Sequence, residues 1–145
     1  MKNLLLAVLL VGGCGNAPKP DPLHTREVRL PNGVRILCEV KMRPEDMALG
    51  MMHRDSLAEN RGMLFIHVAS GNHPYWMHNV RVPLDIIWMD ESRKIVEISE
   101  NTPPCLKPAQ ECGNYGGQRP SQYVLEMPGG GVKRHNLKIG DAIDF

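Results

Sequence analysis

Apolar and polar residues alternate over short stretches of this chain, which is the pattern of half-buried strands. Val34, Ile36, Cys38 and Val40 alternate with Arg35 and Glu39. Val28-Arg29-Leu30 precedes them, and Pro31-Asn32-Gly33 stands between the two runs. Asn-Gly between strand-like runs predicts a hairpin. Further strands are predicted over Gly62–Val68, Pro74–Asn79, Leu84–Asp90, Lys94–Ser99 and Gln122–Met127, with Asp141–Phe145 closing the chain. The segments 84–90 and 94–99, joined through Glu91-Ser92-Arg93, form a second predicted hairpin. One short helix is predicted over Arg43–Met52: Pro44 suits a first helical position, and Glu45 and Asp46 suit the positive end of the dipole. Residues 102–120 read as a Pro/Gly-rich loop, and Pro128-Gly129-Gly130-Gly131 as the stop of the last long strand. The resulting fold class is mainly β: one antiparallel β-sandwich, jelly roll or open barrel with one or two short helices.

The N-terminus follows a different pattern. Lys2 precedes the eight-residue apolar run Leu4–Val11, and Val11-Gly12-Gly13-Cys14 follows. A charged start, a short apolar run and small residues make a secretory signal. Small residues directly before a cysteine resemble a bacterial lipobox, so Cys14 is the expected lipidation site. The expected organisation is a signal peptide over residues 1–13, a lipidated Cys14 with a Pro-rich spacer over 14–26, and one globular domain over 27–145. Pro18, Pro20 and Pro22 would stiffen the spacer. Acyl chains would hold the protein on a leaflet. With Gly15 rather than Asp after the cysteine, that leaflet would be the periplasmic face of the outer membrane in a Gram-negative cell.

Composition narrows the function classes. The chain has 145 residues, 17 Lys+Arg and 16 Asp+Glu. Removing residues 1–13 takes away one cation, Lys2, and leaves 16 of each sign. A neutral chain lacks the basic surplus that nucleic acid binding needs, so no nucleic acid partner is expected. No run approaches the about 18 apolar residues of a membrane-spanning helix.

Four ordered motifs carry a family resemblance. Gly50-Met51-Met52-His53-Arg54, Arg61-Gly62-Met63-Leu64-Phe65, Tyr75-Trp76-Met77-His78-Asn79 and Pro83-Leu84-Asp85-Ile86-Ile87 resemble the bacterial and archaeal family known as domain of unknown function 192. Its pattern reads roughly G-L-M-x-R, G-M-L-F, F-W-M-K-N-T and P-L-D-I-I. Tyr123-Val124-Leu125-Glu126 and Gly140-Asp141 resemble its Y-V-L-E and G-D. The resemblance spans residues 34–145. It implies a single, mainly β domain of sandwich or jelly-roll type, often exported, and implies no reaction. The chain departs from the pattern at His78 (usually Lys), at Val80 (usually Thr) and at Met127-Pro128-Gly129-Gly130.

Candidate chemistry centres on polar residues set in apolar motifs. Arg54, Asn79, Asp85, Glu126 and Asp141 need partners if buried. Arg54 would pair with Asp85 or Glu126 and Asn79 would hold a turn; otherwise the set forms a shallow polar site with Trp76 and His78. Asp85 and Glu126 would serve acid/base chemistry only if the right distance apart. Tyr75 and Trp76 are strand neighbours and point to opposite faces; both are expected to be buried in a loop-covered fold, the alternative being one in the core and one exposed to stack on a sugar ring or peptide. The six histidines form no H-x-H or H-E-x-x-H pattern, and no metal ligand set or cofactor is assigned. Met47 and Met51 are one helical turn apart, and clustered thioethers in an exported protein suit copper(I) as well as core packing. Cys105 and Cys112 are expected to form a disulfide, contributing about 2–3 kcal/mol. Cys38 is expected as a buried thiol with no base beside it in sequence.

These features favour an envelope-anchored, non-enzymatic module that binds a small molecule, a glycan or a protein partner. A hydrolase using Asp85, Glu126 or Asp141 and a metal-binding protein using Met and His are the alternatives.

Overall fold

The computed structural model describes residues 24–145. The predicted signal, Cys14 and all but the last residues of the predicted spacer lie outside them. Eight strands and two short helices follow in order: β1 Thr25–Arg29, β2 Arg35–Lys41, α1 Pro44–Leu49, β3 Arg61–Gly71, β4 Tyr75–Trp76, β5 Leu84–Met89, β6 Ile95–Thr102, β7 Asn114–Tyr115, β8 Ser121–Pro128 and α2 Gly131–His135. The chain is mainly β, as its pattern predicts. Six strands form one open sheet in the order β1-β2-β3-β8-β5-β6, and β4 and β7 form a separate ribbon.

Both predicted hairpins form. β1 and β2 pair antiparallel across Asn32-Gly33, and β5 pairs antiparallel with β6. β1 starts at Thr25. Two expectations are corrected. The sheet is mixed, because β2 and β3 run parallel. A parallel pair needs a connection of a dozen or more residues, and the segment 42–60 with α1 supplies it. The strand expected over Pro74–Asn79 shrinks to two residues, which pair with β7 inside the segment read as loop. The closing segment makes isolated bridges, Lys94↔Ala142 and Arg29↔Asp144.

The sheet is covered on both faces. On one face, Ile36, Cys38, Leu64, Ile87, Leu125 and Met127 pack with Val132, Leu137 and Ile143 from the C-terminal segment. On the other, Met63, Phe65, Ile86, Trp88 and Val124 pack with Met51, Met77 and Val80, and with Tyr75 and Tyr115 of the ribbon. Every residue of β5 is buried. Gly116 carries the ribbon close over this second core: at φ +62, a Cβ there would lie 2.3 Å from the Trp88 ring. The predicted Cys105–Cys112 disulfide is present and closes the loop ahead of β7, and Cys38 is a free, buried cysteine. Burial pushes the Cys38 thiol up to about 12, which makes it inert.

Asp85 fixes how the first layer closes. Between β5 and β6 the register slips, Leu84 facing Thr102 but Ile86 facing Ser99. The extra β6 residue forms a bulge in which Asn101 adopts φ 47. Asn101 N–H thereby donates to Asp85 Oδ1 at 2.6 Å. Gly130 N–H donates to the same oxygen at 3.1 Å, and Val132 N–H to Oδ2 at 2.6 Å. The last two belong to the first turn of α2, whose N-cap Gly130 has no side chain to cap it. The carboxyl of a fully buried strand residue therefore caps a helix 46 positions away in sequence, which is why the Gly-rich stretch that reads as a stop begins a helix. Asp85→Asn keeps the shape but turns an NH2 group toward an N–H. It is expected to lose about 2–4 kcal/mol in urea denaturation; a loss below about 1 kcal/mol would refute this capping role.

Candidate functional site

The polar residues singled out in the sequence do not form one cluster. Arg54 pairs with neither Asp85 nor Glu126. Its guanidinium holds Glu39 through Nη1–Oε1 at 2.5 Å and Nη2–Oε2 at 2.9 Å. Lys41 Nζ adds a contact to Glu39 at 3.1 Å. These bonds hold the Glu39 carboxyl down at about 2. Asn79 sits in a turn at φ 57, its N–H donating to Cys105 C=O and its C=O accepting from His53 N–H. Asp141 turns back to accept from Lys138 N–H at 3.0 Å. Asp85 caps α2 on the sheet face opposite Glu126. Against the expectation that both are buried, Tyr75 and Trp76 part: Tyr75 packs into the second core and Trp76 stays 40% exposed, its ring 4.9 Å from that of His78.

Glu126 is the exception among these groups. It lies on β8 opposite Met63 of β3 and Ile86 of β5, on the face of the second core. It is 4% exposed, and its Oε2 has no hydrogen-bond partner. Burial pushes the carboxyl up to about 8, with Arg54 pulling weakly the other way. At neutral pH Glu126 is thus a protonated acid inside the protein.

The acid opens onto a cavity of about 30 Å³. Met47 from α1, and Met51 and Met52 from the turn after it, form one wall. Phe65, Tyr75, Trp76 and Val80 supply most of the rest. α1 buries no residue of its own, so it roofs the cavity without being part of the core. A larger depression, of about 260 Å³, lies between His24, Glu39, Lys41 and Arg43. There Lys41 is engaged with Glu39 and Arg43 with Asp46, so its charged groups are already spent on each other.

Tyr75 links the cavity to a histidine pair. Its ring meets Phe65 edge-on at 5.1 Å, and its hydroxyl lies 3.2 Å from His67 Nε2. His67 stacks flat on His73 at 3.5 Å. Burial, reinforced by His73, lowers His67 to about 4, so it is neutral. Burial and the nearby Glu126 raise the Tyr75 phenol. The wall of the site is therefore uncharged at neutral pH.

Comparison with known proteins places this arrangement. The family model DUF192, described as "Uncharacterized ACR", matches residues 27–145. The chain belongs to the DUF192 family. A solved structure from Novosphingobium aromaticivorans, of unknown function, is 27% identical with a TM-score of 0.73, the match covering 90% of this chain and 94% of that one. Another from Sinorhizobium meliloti 1021, named as a candidate transcription regulator, is 28% identical with a TM-score of 0.70 and covers 81% and 89%. None of the curated proteins compared matches the chain.

In this DUF192 chain two sequence departures fall at the site. Val80 lines the cavity, and His78 stands behind Trp76. Sequence reasoning missed Glu39 as the partner of Arg54, and missed that Met47, Met51 and Met52 line one cavity with Glu126. Strand parity was the available signal for the first: Glu39 alternates with the buried Cys38 and so shares a face with Arg54 only if β2 lies beside that turn.

Glu126 makes a signed prediction. Its folded value lies above the ordinary 4.5, so the native state binds more protons than the unfolded chain between pH 4.5 and 8. Its contribution is fully present below pH 4.5 and lost as pH rises through 8. Glu126→Gln should be nearly neutral at pH 5 and gain about 2–4 kcal/mol over the parent at pH 9 in urea denaturation. Parallel pH profiles for the two proteins would show that Glu126 is ionised in the fold.

Proposed function

We propose that this chain is an exported, lipid-anchored binding module whose site is the Glu126 cavity. The signal-like Leu4–Val11 run and the lipobox-like Cys14 support the anchoring. The observation that carries the binding reading is the Glu126 carboxyl, buried, with an unpartnered oxygen, in a cavity walled by thioethers and aromatic rings. An uncompensated polar group is costly in a core. A ligand that fills the cavity and engages the carboxyl removes that cost.

Hydrolysis is the second reading, and one observation favours it. Glu39 and Glu126 both face Met63 across adjacent strands. Their Cα atoms are thus about two strand spacings, or about 10 Å, apart on one face. One is ionised and one protonated, the usual mark of an acid/base pair. Binding is preferred because Arg54 occupies both oxygens of Glu39, leaving it poorly suited to activate water. The S. meliloti relative's name suggests gene regulation, but the balanced charge of this chain argues against a nucleic acid partner.

The test is NMR of the full chain in detergent micelles, with 13C-labelled methionine methyls. The probes are simple metal salts, methylammonium, small alcohols and monosaccharides. Binding at this site shifts the Met47, Met51 and Met52 methyls, and Glu126→Gln weakens the shift. Shifts confined to other methionines, or none with any probe, refute the site. Turnover of nitrophenyl glycosides or esters that disappears in Glu126→Gln would replace binding with hydrolysis.

A further inference from the structure

We propose that the Glu126 cavity holds one soft monovalent metal ion, copper(I) or its analogue silver(I), bound by thioethers of Met47, Met51 and Met52 with Glu126 as counter-charge. This deepens the binding reading above and rests on it. Size favours a small ligand: the cavity is about 30 Å³.

Donor chemistry narrows it next. Thioethers are soft, polarisable ligands that select copper(I) over hard cations. Met47 and Met51 are one turn apart and Met52 follows directly; all three line the cavity and pack on the second core. Trp76, Tyr75 and Phe65 add ring faces and edges, and faces attract cations. Among the described residues, no three His, Cys, Asp or Glu side chains are grouped to hold a metal ion. A hard divalent ion therefore lacks its usual donors here.

Geometry supplies the counter-charge. Glu126 lines the same cavity, buried, with no hydrogen-bond partner for Oε2. The neighbouring polar groups are engaged elsewhere: Arg54 and Lys41 both contact Glu39, and the Tyr75 hydroxyl lies 3.2 Å from His67 Nε2.

The experiment titrates silver nitrate, then copper(I) against a colorimetric chelator, into the full chain in micelles. Both use a Cys38→Ala background so that no free thiol competes. One ion per chain is expected, with shifts at the Met47, Met51 and Met52 methyls. Met47→Leu and Met51→Leu should each weaken binding at least about tenfold, Glu126→Gln should weaken it too, and Met42→Leu should change nothing. Silver that moves other methyls, or binds equally well after Met51→Leu, overturns the proposal. If silver fails while methylammonium moves the three methyls through Glu126, the metal is wrong and the binding site stands. If no probe moves them, both readings fall.

Discussion

The buried carboxyl of Asp85 is the constraint on which the rest of the domain depends. It accepts from Asn101, Gly130 and Val132, three N–H groups contributed by two separate chain segments. Those bonds hold the β6 bulge and the first turn of α2 to the start of β5. The C-terminal cover then follows, with Val132, Leu137 and Ile143 placed on the first core. The consequence reaches across the sheet. Side chains alternate along a strand, so Asp85 on one face commits Leu84, Ile86 and Trp88 to the other. β8 pairs with β5 in a register that sets Glu126 beside Ile86. The polar bond network on one face therefore determines that the second acid emerges on the opposite face, under α1.

Three acidic residues of this sheet show how environment, rather than residue type, assigns a role. Asp85 is satisfied by backbone donors. Glu39 is satisfied by a bidentate guanidinium and is held ionised. Glu126 has no donor for Oε2 and keeps its proton. Two of the three have their hydrogen-bonding capacity consumed in holding the fold. The third retains it, where a cavity meets the second core.

Much of the fold was legible because it is local. Asn32-Gly33 and the 84–90/94–99 pattern each encode a hairpin within a few residues, and Cys105 and Cys112 could be paired from loop composition. What was not legible depends on partners far away in sequence. The parallel β2–β3 pair is visible only once the segment 42–60 is known to cross over. α2 could not be read from Gly129-Gly130-Gly131, since its cap lies on β5. The candidate site was half legible. Asp85 and Glu126 looked alike, each an acid in an apolar motif, and only strand register separates the one that caps a helix from the one that opens onto a cavity.

The departure at position 80 bears on why Glu126 stays unsatisfied. The family pattern usually has Thr there, and Val80 lines the cavity onto which Glu126 opens. A threonine at that position would bring a hydroxyl, able to donate or accept, into the wall. Valine keeps nearly the same shape and offers only methyl groups. The wall therefore offers the acid thioethers, rings and aliphatic groups, with the Tyr75 hydroxyl engaged by His67. A drier wall raises the cost of ionising Glu126 without a partner.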